Sequence, residues 1–331
     1  MLNAIRSTAV VLCAALAFAT ACSTEPGAGR HAEPAGDGTW PRTVEHEAGT
    51  TRIDQAPTRI VSTSPSLTGS LLAIGVPVIA TAAAPKTALT DDRGFFTQWA
   101  GVAEERGVQV LYPNLELDVD AIDELAPDLI IGSVNGADTV AEAYDQLSEI
   151  APTVLLDYGT QSWQNLTEQL GRGVGREQAA ADLLAGYQSW ITDRRADVAP
   201  PPQPVAALVY LGPDGAWVFA PESPQAELLS SMGFEYARLP DRFVAEKQAG
   251  ANGVQIVSSE NLAGALSQTK TLFVDAPGGR GAVADFRRDR LVANLPAVTA
   301  ERVYSLGPES FRLDYYSARN TVDSIVEKFG R

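Results

Sequence analysis

From Thr58 to the C-terminus, short β-branched and apolar runs alternate with segments whose apolar positions recur at helical spacing. RIVSTS (59–64) reads as a strand. SPSLTGSLLAIG then reads as a helix, with Ser64 as N-cap, Pro65 in the first turn and Gly75 at the stop. VPVIAT (76–81) is a second strand. In FFTQWAGVAEERG (95–107), Phe95, Phe96, Trp99 and Val102 fall on related turns of an amphipathic helix. The strand VQVLY (108–112), the helical VDAIDELAP (119–127), the strand DLIIGSV (128–134), a helix around 137–150 and the strand TVLLDY (153–158) follow. Strands separated by helices in this way predict parallel βα units.

The longest helical pattern covers 176–198, where Ala179, Leu183, Leu184, Tyr187 and Ile191 form a stripe. It runs into Pro200-Pro201-Pro202, which cannot continue a helix. A second series begins there. VAALVYL (205–211) and AWVFA (216–220), joined by Gly212-Pro213-Asp214-Gly215, read as a hairpin. A helix at 224–232, strands at 254–258 and 271–275, a helix at 282–293, a strand at 302–306 and a final helix at 314–329 complete the chain. The expected fold class is α/β. Two Rossmann-like βα lobes, 45–174 and 203–331, are joined by one long helix within 175–202, and a ligand cleft lies between them.

The first residues follow another pattern. Arg6 precedes an apolar stretch from Ala9 to Ala19, and small residues lead into Cys22. The stretch is shorter than the roughly 20 apolar residues of a spanning helix, so 1–21 reads as an export signal. Ala19-Thr20-Ala21-Cys22 is similar to a bacterial lipobox, which makes Cys22 the expected lipidation site. The mature protein is then expected to be exported and lipid-anchored on the outer face of the cytoplasmic membrane. Rich in Gly, Pro, Ala and charge, the segment after Cys22 reads as a flexible tether, 22–44 with the anchor included.

Composition narrows the chemistry. The net charge of −16 argues against nucleic acid as a partner. Cys13 and Cys22 lie in the signal and anchor, and His31 and His46 lie in or next to the tether. The body is therefore expected to lack the partners for a Ser-His or Cys-His nucleophile, for a zinc site and for a disulfide. The scarcity of histidine and cysteine counts against an enzyme built on such a pair and against a zinc cofactor. Gly171-Arg172-Gly173-Val174-Gly175 precedes a helix, but it follows the helical NLTEQL rather than a strand, so it does not read as a dinucleotide loop.

The densest candidate chemistry is Gly307-Pro-Glu-Ser-Phe-Arg-Leu-Asp-Tyr-Tyr-Ser317, between a strand end and a helix start. Ligands of open α/β sheets bind at such carboxyl ends. Arginine among aromatics suits a planar, anionic, oxygen-rich ligand. The alternative is an Arg312–Asp314 ion pair over Tyr315 and Tyr316 packed in the core.

RIVSTSPSLTGSLLAIGVPVIA, DDRGFFTQW, YDQLSEIAPT, SWQNLTEQLG, PPQPVAALVY, PES (221–223), NLPAV and ESFRLDYYSA occur in this order over about residues 58–329. Together they resemble the ferric-enterobactin-binding periplasmic proteins, within the siderophore and cobalamin subclass of ABC-importer substrate-binding proteins. The resemblance implies a monomeric, non-catalytic protein that holds an intact ferric siderophore between its lobes. Iron is then ligated by the siderophore alone, and a membrane permease is the partner.

Ligand contacts implied are Arg312, in a fully matching block, with Trp217 and with Phe219, where the family has tryptophan. The family arginine before the paired aspartates falls near Ala88, leaving Lys86 or Arg93 as substitutes. Tyr315 joins from the C-terminal cluster, and Arg242 and Arg280 from their charge and loop positions. Permease docking is implied for Asp120 and Glu222. Other ligands of the subclass (a hydroxamate siderophore, ferric citrate, haem or cobalamin), an exported α/β enzyme and a lipid-anchored scaffold protein stay open at this point.

Overall fold

The computed structural model describes residues 38–244, 253–276 and 281–331. Cys22 and Arg280 lie outside them. The described chain opens with a hairpin, β1 (Arg42–His46) and β2 (Gly49–Ile53), paired antiparallel. The alternation from Thr58 does not extend to these residues, and β1 starts three residues before the expected boundary at 45. His46 belongs to this hairpin rather than to a tether. Its ring bonds Thr51 Oγ1 at 2.9 Å and packs 5.6 Å from the Tyr144 ring.

The first lobe follows as β3 (Ile60–Ser62), α1 (Pro65–Ala73), β4 (Val78–Thr81), α2 (Thr97–Glu105), β5 (Gln109–Val110), α3 (Val119–Glu124), β6 (Leu129–Ser133), α4 (Tyr144–Ile150) and β7 (Thr153–Leu156). Its sheet has the order β5-β4-β3-β6-β7 and every pairing is parallel. Neighbouring strand residues enter different cores. Ile60, Leu129, Ile131 and Val154 meet Leu67 and Leu71 of α1 on one face, while Val61, Ile130 and Leu155 meet Ile122 and Leu147 on the other. This buried-on-both-faces pattern is what parallel βα units require.

α5 (Trp163–Val174) and α6 (Glu177–Ala196) then lead to the second lobe. The Gly171–Gly175 motif is the end of α5, where Gly175 takes the left-handed conformation (φ 72°) that closes the helix. The second lobe contains β8 (Val205–Tyr210), β9 (Ala216–Phe219), α7 (Pro224–Ser231), β10 (Val254–Val257), α8 (Leu262–Ala265), β11 (Thr271–Asp275), α9 (Ala282–Arg288), α10 (Pro296–Thr299), β12 (Val303–Tyr304) and α11 (Tyr315–Phe329). Its sheet, β10-β9-β8-β11-β12, is mixed. β8, β9 and β10 form an antiparallel meander, and β8, β11 and β12 are parallel. The helix expected over 282–293 stops at Arg288, because the Asp289 carboxylate accepts from the backbone N–H of Leu291 and from the Tyr210 hydroxyl.

α11 connects the lobes a second time. Ala318, Val322 and Ile325 lie in the second lobe's core, while Tyr316 packs on the first lobe's core. Gly69 of α1 makes this approach possible. A Cβ there would stand 2.3 Å from Asp314 Oδ2 and 2.9 Å from Trp99.

Candidate ligand-binding site

The turn between β12 and α11 carries the site. Pro308–Phe311 form a 3₁₀ turn whose position is fixed from below. Gln225 of α7 donates its amide to the carbonyls of Ser310 and Phe311, both at 2.9 Å. The Ser310 hydroxyl donates to Asp275 at the end of β11, and the Ser305 hydroxyl and Leu306 N–H donate to the same carboxylate. Burial raises the Asp275 pKa above the usual carboxylate range, against the pull of these donors.

Held this way, Phe311 stays 37% exposed and stacks on Trp217 of β9, with ring centroids 6.1 Å apart at 28°. Phe219 lies behind, buried, 6.4 Å from the Phe311 ring. Trp217 thus joins the turn as expected, but the aromatic face open to solvent beside it belongs to Phe311 and not to Phe219. Phe311 was legible in the ESFRLD block only as one aromatic among several.

Arg312, the next residue, is exposed and reaches across to the first lobe. Its guanidinium donates to Ser66 Oγ of α1 at 2.9 Å and lies 5.6 Å from the centroid of the Tyr158 ring. Among the described residues no carboxylate lies within 4 Å of it. The expected alternative, an Arg312–Asp314 ion pair, is absent: Asp314 is buried and caps α11 by accepting from Ser317 N–H at 2.8 Å. Two further contacts cross between the lobes. Thr97 donates to Glu309 at 2.9 Å, and Gln98 of α2 meets Asp314 at 3.4 Å.

The other expected contacts distribute differently. Lys86 is exposed in the loop after β4, without a carboxylate within 4 Å among the described residues. Arg93 is bound to Asp91 at 2.8 Å, lies 3.8 Å from Glu104 and donates to the Ala100 carbonyl, so its charge is balanced locally. Burial works against the ionised Asp91, yet the bonds from Phe95 and Arg93 hold its carboxyl below the usual range. Arg242 is exposed and lies over the Phe243 ring at 4.5 Å. Tyr315 is turned into the α5–α6 side. Its ring packs with Trp163 and Tyr187, and its hydroxyl accepts from Arg319 at 3.0 Å. Asp120 is exposed in the first turn of α3, and Glu222 is exposed just before Ser223, the N-cap of α7.

The junction of the two lobes thus carries an arginine with no carboxylate within 4 Å among the described residues and, one residue earlier in the chain, a half-open aromatic ring stacked on Trp217, a set of groups suited to holding an anionic small molecule. The chain belongs to the periplasmic binding protein family, whose model matches residues 60–310. It is 42% identical over 293 residues to the ferric enterobactin-binding periplasmic protein FepB of Escherichia coli, covering 88% of this chain and 91% of that one. Among solved structures, that of holo-ViuP superposes with a TM-score of 0.78 at 33% identity, over 89% of this chain and 97% of that one. Staphylococcus aureus SirA complexed with staphyloferrin B shares the fold, with a TM-score of 0.66 at 21% identity over 87% and 98% of the two chains.

Proposed function

We propose that this protein is the substrate-binding component of an ABC importer and captures a ferric siderophore, most closely a tris-catecholate of the enterobactin type. It is a binding protein, not an enzyme, and the iron travels as part of the ligand, ligated by the siderophore oxygens. The observation that carries this reading is Arg312. It is a cation without a carboxylate partner among the described residues, at the boundary of the lobes, and it follows in the chain the exposed Phe311 that stacks on Trp217. A tris-catecholate ferric complex offers what these groups recognise: negative charge, catechol oxygens and flat rings. Lys86 is the nearer match to the missing family cation, because Arg93 is already paired. Arg242 and Arg280 extend the same reading, and Phe219 backs the stack from beneath.

Lipidation at Cys22 tethers the monomeric protein to the membrane, and Asp120 and Glu222 meet the permease.

The test is a titration panel followed by the fluorescence of the five tryptophans. Ferric enterobactin, a ferric hydroxamate, ferric citrate, haem and cobalamin are compared with the unaltered protein and with Arg312→Ala. Saturable quenching by ferric enterobactin is expected. In Arg312→Ala it should weaken by about 1.5–3 kcal/mol, the range of a charge-assisted contact. Saturation by another panel member with no response to the catecholate would replace the proposed ligand. Unchanged affinity in a folded Arg312→Ala variant would remove Arg312 from the site.

A further inference from the structure

The groups that hold Arg312 all come from the opposite lobe. Ser66, in the first turn of α1, accepts one of its N–H groups, and the Tyr158 ring lies under the guanidinium. Tyr158 is itself fixed. Its hydroxyl donates to Asp138 Oδ1 at 2.6 Å, and Asp138 Oδ2 accepts from Ser64, two residues before Ser66. Ser64 therefore spends its hydroxyl on Asp138 and leaves its own helix without a side-chain cap. Asp138 is buried and spends its carboxylate on the Tyr158 and Ser64 hydroxyls, and it does not come within 4 Å of an Arg312 nitrogen. Gly136 (φ 78°) clears the space for this pose, since a Cβ there would lie 1.8 Å from the Tyr158 hydroxyl oxygen.

This construction has a plain electrostatic result. An aromatic face and a neutral hydroxyl orient a guanidinium without cancelling its charge, whereas a carboxylate would do both. Burial comes first among the causes that push the Tyr158 pKa up to about 12, so the ring stays neutral throughout the ordinary pH range.

We propose that Tyr158 and Ser66 are positioning residues for Arg312, a seat on the first lobe that aims the second lobe's cation at an anionic ligand while leaving its charge unspent. The proposal rests on the anionic-ligand reading given above.

Two measurements test it. The first needs no ligand. The Arg312 Nε–H resonance, identified by its loss in Arg312→Lys, should be displaced by the ring current of Tyr158. The displacement should persist in Tyr158→Phe and vanish in Tyr158→Leu. The second is a double-mutant cycle with ferric enterobactin as probe. Tyr158→Leu should weaken binding roughly 5- to 30-fold in the unaltered background, the range of a partly desolvated cation–π contact. It should cost nothing further in Arg312→Ala, and Tyr158→Phe should restore most of the affinity. A resonance unaffected by Tyr158→Leu overturns the seat. Equal losses in the two backgrounds also overturn it, since a general structural defect does not depend on Arg312. If the unaltered protein binds no ferric enterobactin, the catecholate reading fails, and the resonance still decides the seat.

Discussion

Asp314 caps α11 and touches the opposite lobe with the same carboxylate. One oxygen accepts from Ser317 N–H while Gln98 of α2 approaches the other. Burial is the largest influence on it and raises its pKa from 3.8 to about 6, in spite of the donors from Ser317 and Gln98. A carboxyl that holds its proton more firmly in the folded chain than in the unfolded one favours folding at low pH. This contribution is fully present below about pH 4 and is lost as pH rises through about 6. Asparagine is a good N-cap and never ionises, so Asp314→Asn should remove that slope. Urea unfolding at pH 4.5 and pH 7.5 checks this. The variant should gain on the parent at the higher pH by at most about 3 kcal/mol. Parallel curves for parent and variant across that range would rule out Asp314 as the source of the pH dependence.

At the scale of elements, periodicity was a good guide wherever an element is buried on both faces. β3, β6, β7, β8 and β11 stand where their apolar runs predict them, and so do α6 and α11. The failures have local causes. The β1–β2 hairpin has few apolar residues, and only Val44, Thr51 and Ile53 are buried, so its composition looks like that of the tether before it. α9 ends early because of a side-chain turn at Asp289, which no apolar spacing announces. The site was legible to the same degree. Arg312 and Trp217 stand out because charge and aromaticity survive in the one-dimensional pattern. Ser66 and Tyr158 do not, because a serine in a helix start and a tyrosine after a strand look ordinary until the fold brings them, from 246 and 154 positions away, to the arginine they hold. Phe311 differs from Phe219 only in exposure, which depends on how Gln225 holds the turn.

Viewed as a whole, the molecule leaves free the two carboxylates proposed above as permease contacts. Asp120 and Glu222 are each exposed beside the start of a helix, one in each lobe, and neither has a cation within 4 Å among the described residues. Rim charges of this kind orient a partner and speed encounter more than they add affinity. Replacing both by Ala should therefore leave ligand affinity unchanged and lower iron uptake by cells; normal uptake in the double variant would exclude docking through them. α11 has a different consequence, one of timing. It supplies Tyr316 to the core of the first lobe, yet it comes after every other described helix in the chain. Until about residue 316 has been synthesised, α1 and α2 lack the surface that covers them, and the early lobe should remain open to proteolysis. Chains halted after Leu313 should be cut within α1 and α2 much faster than chains extended to Arg331. Equal protection of the two would mean that the first lobe closes without waiting for α11.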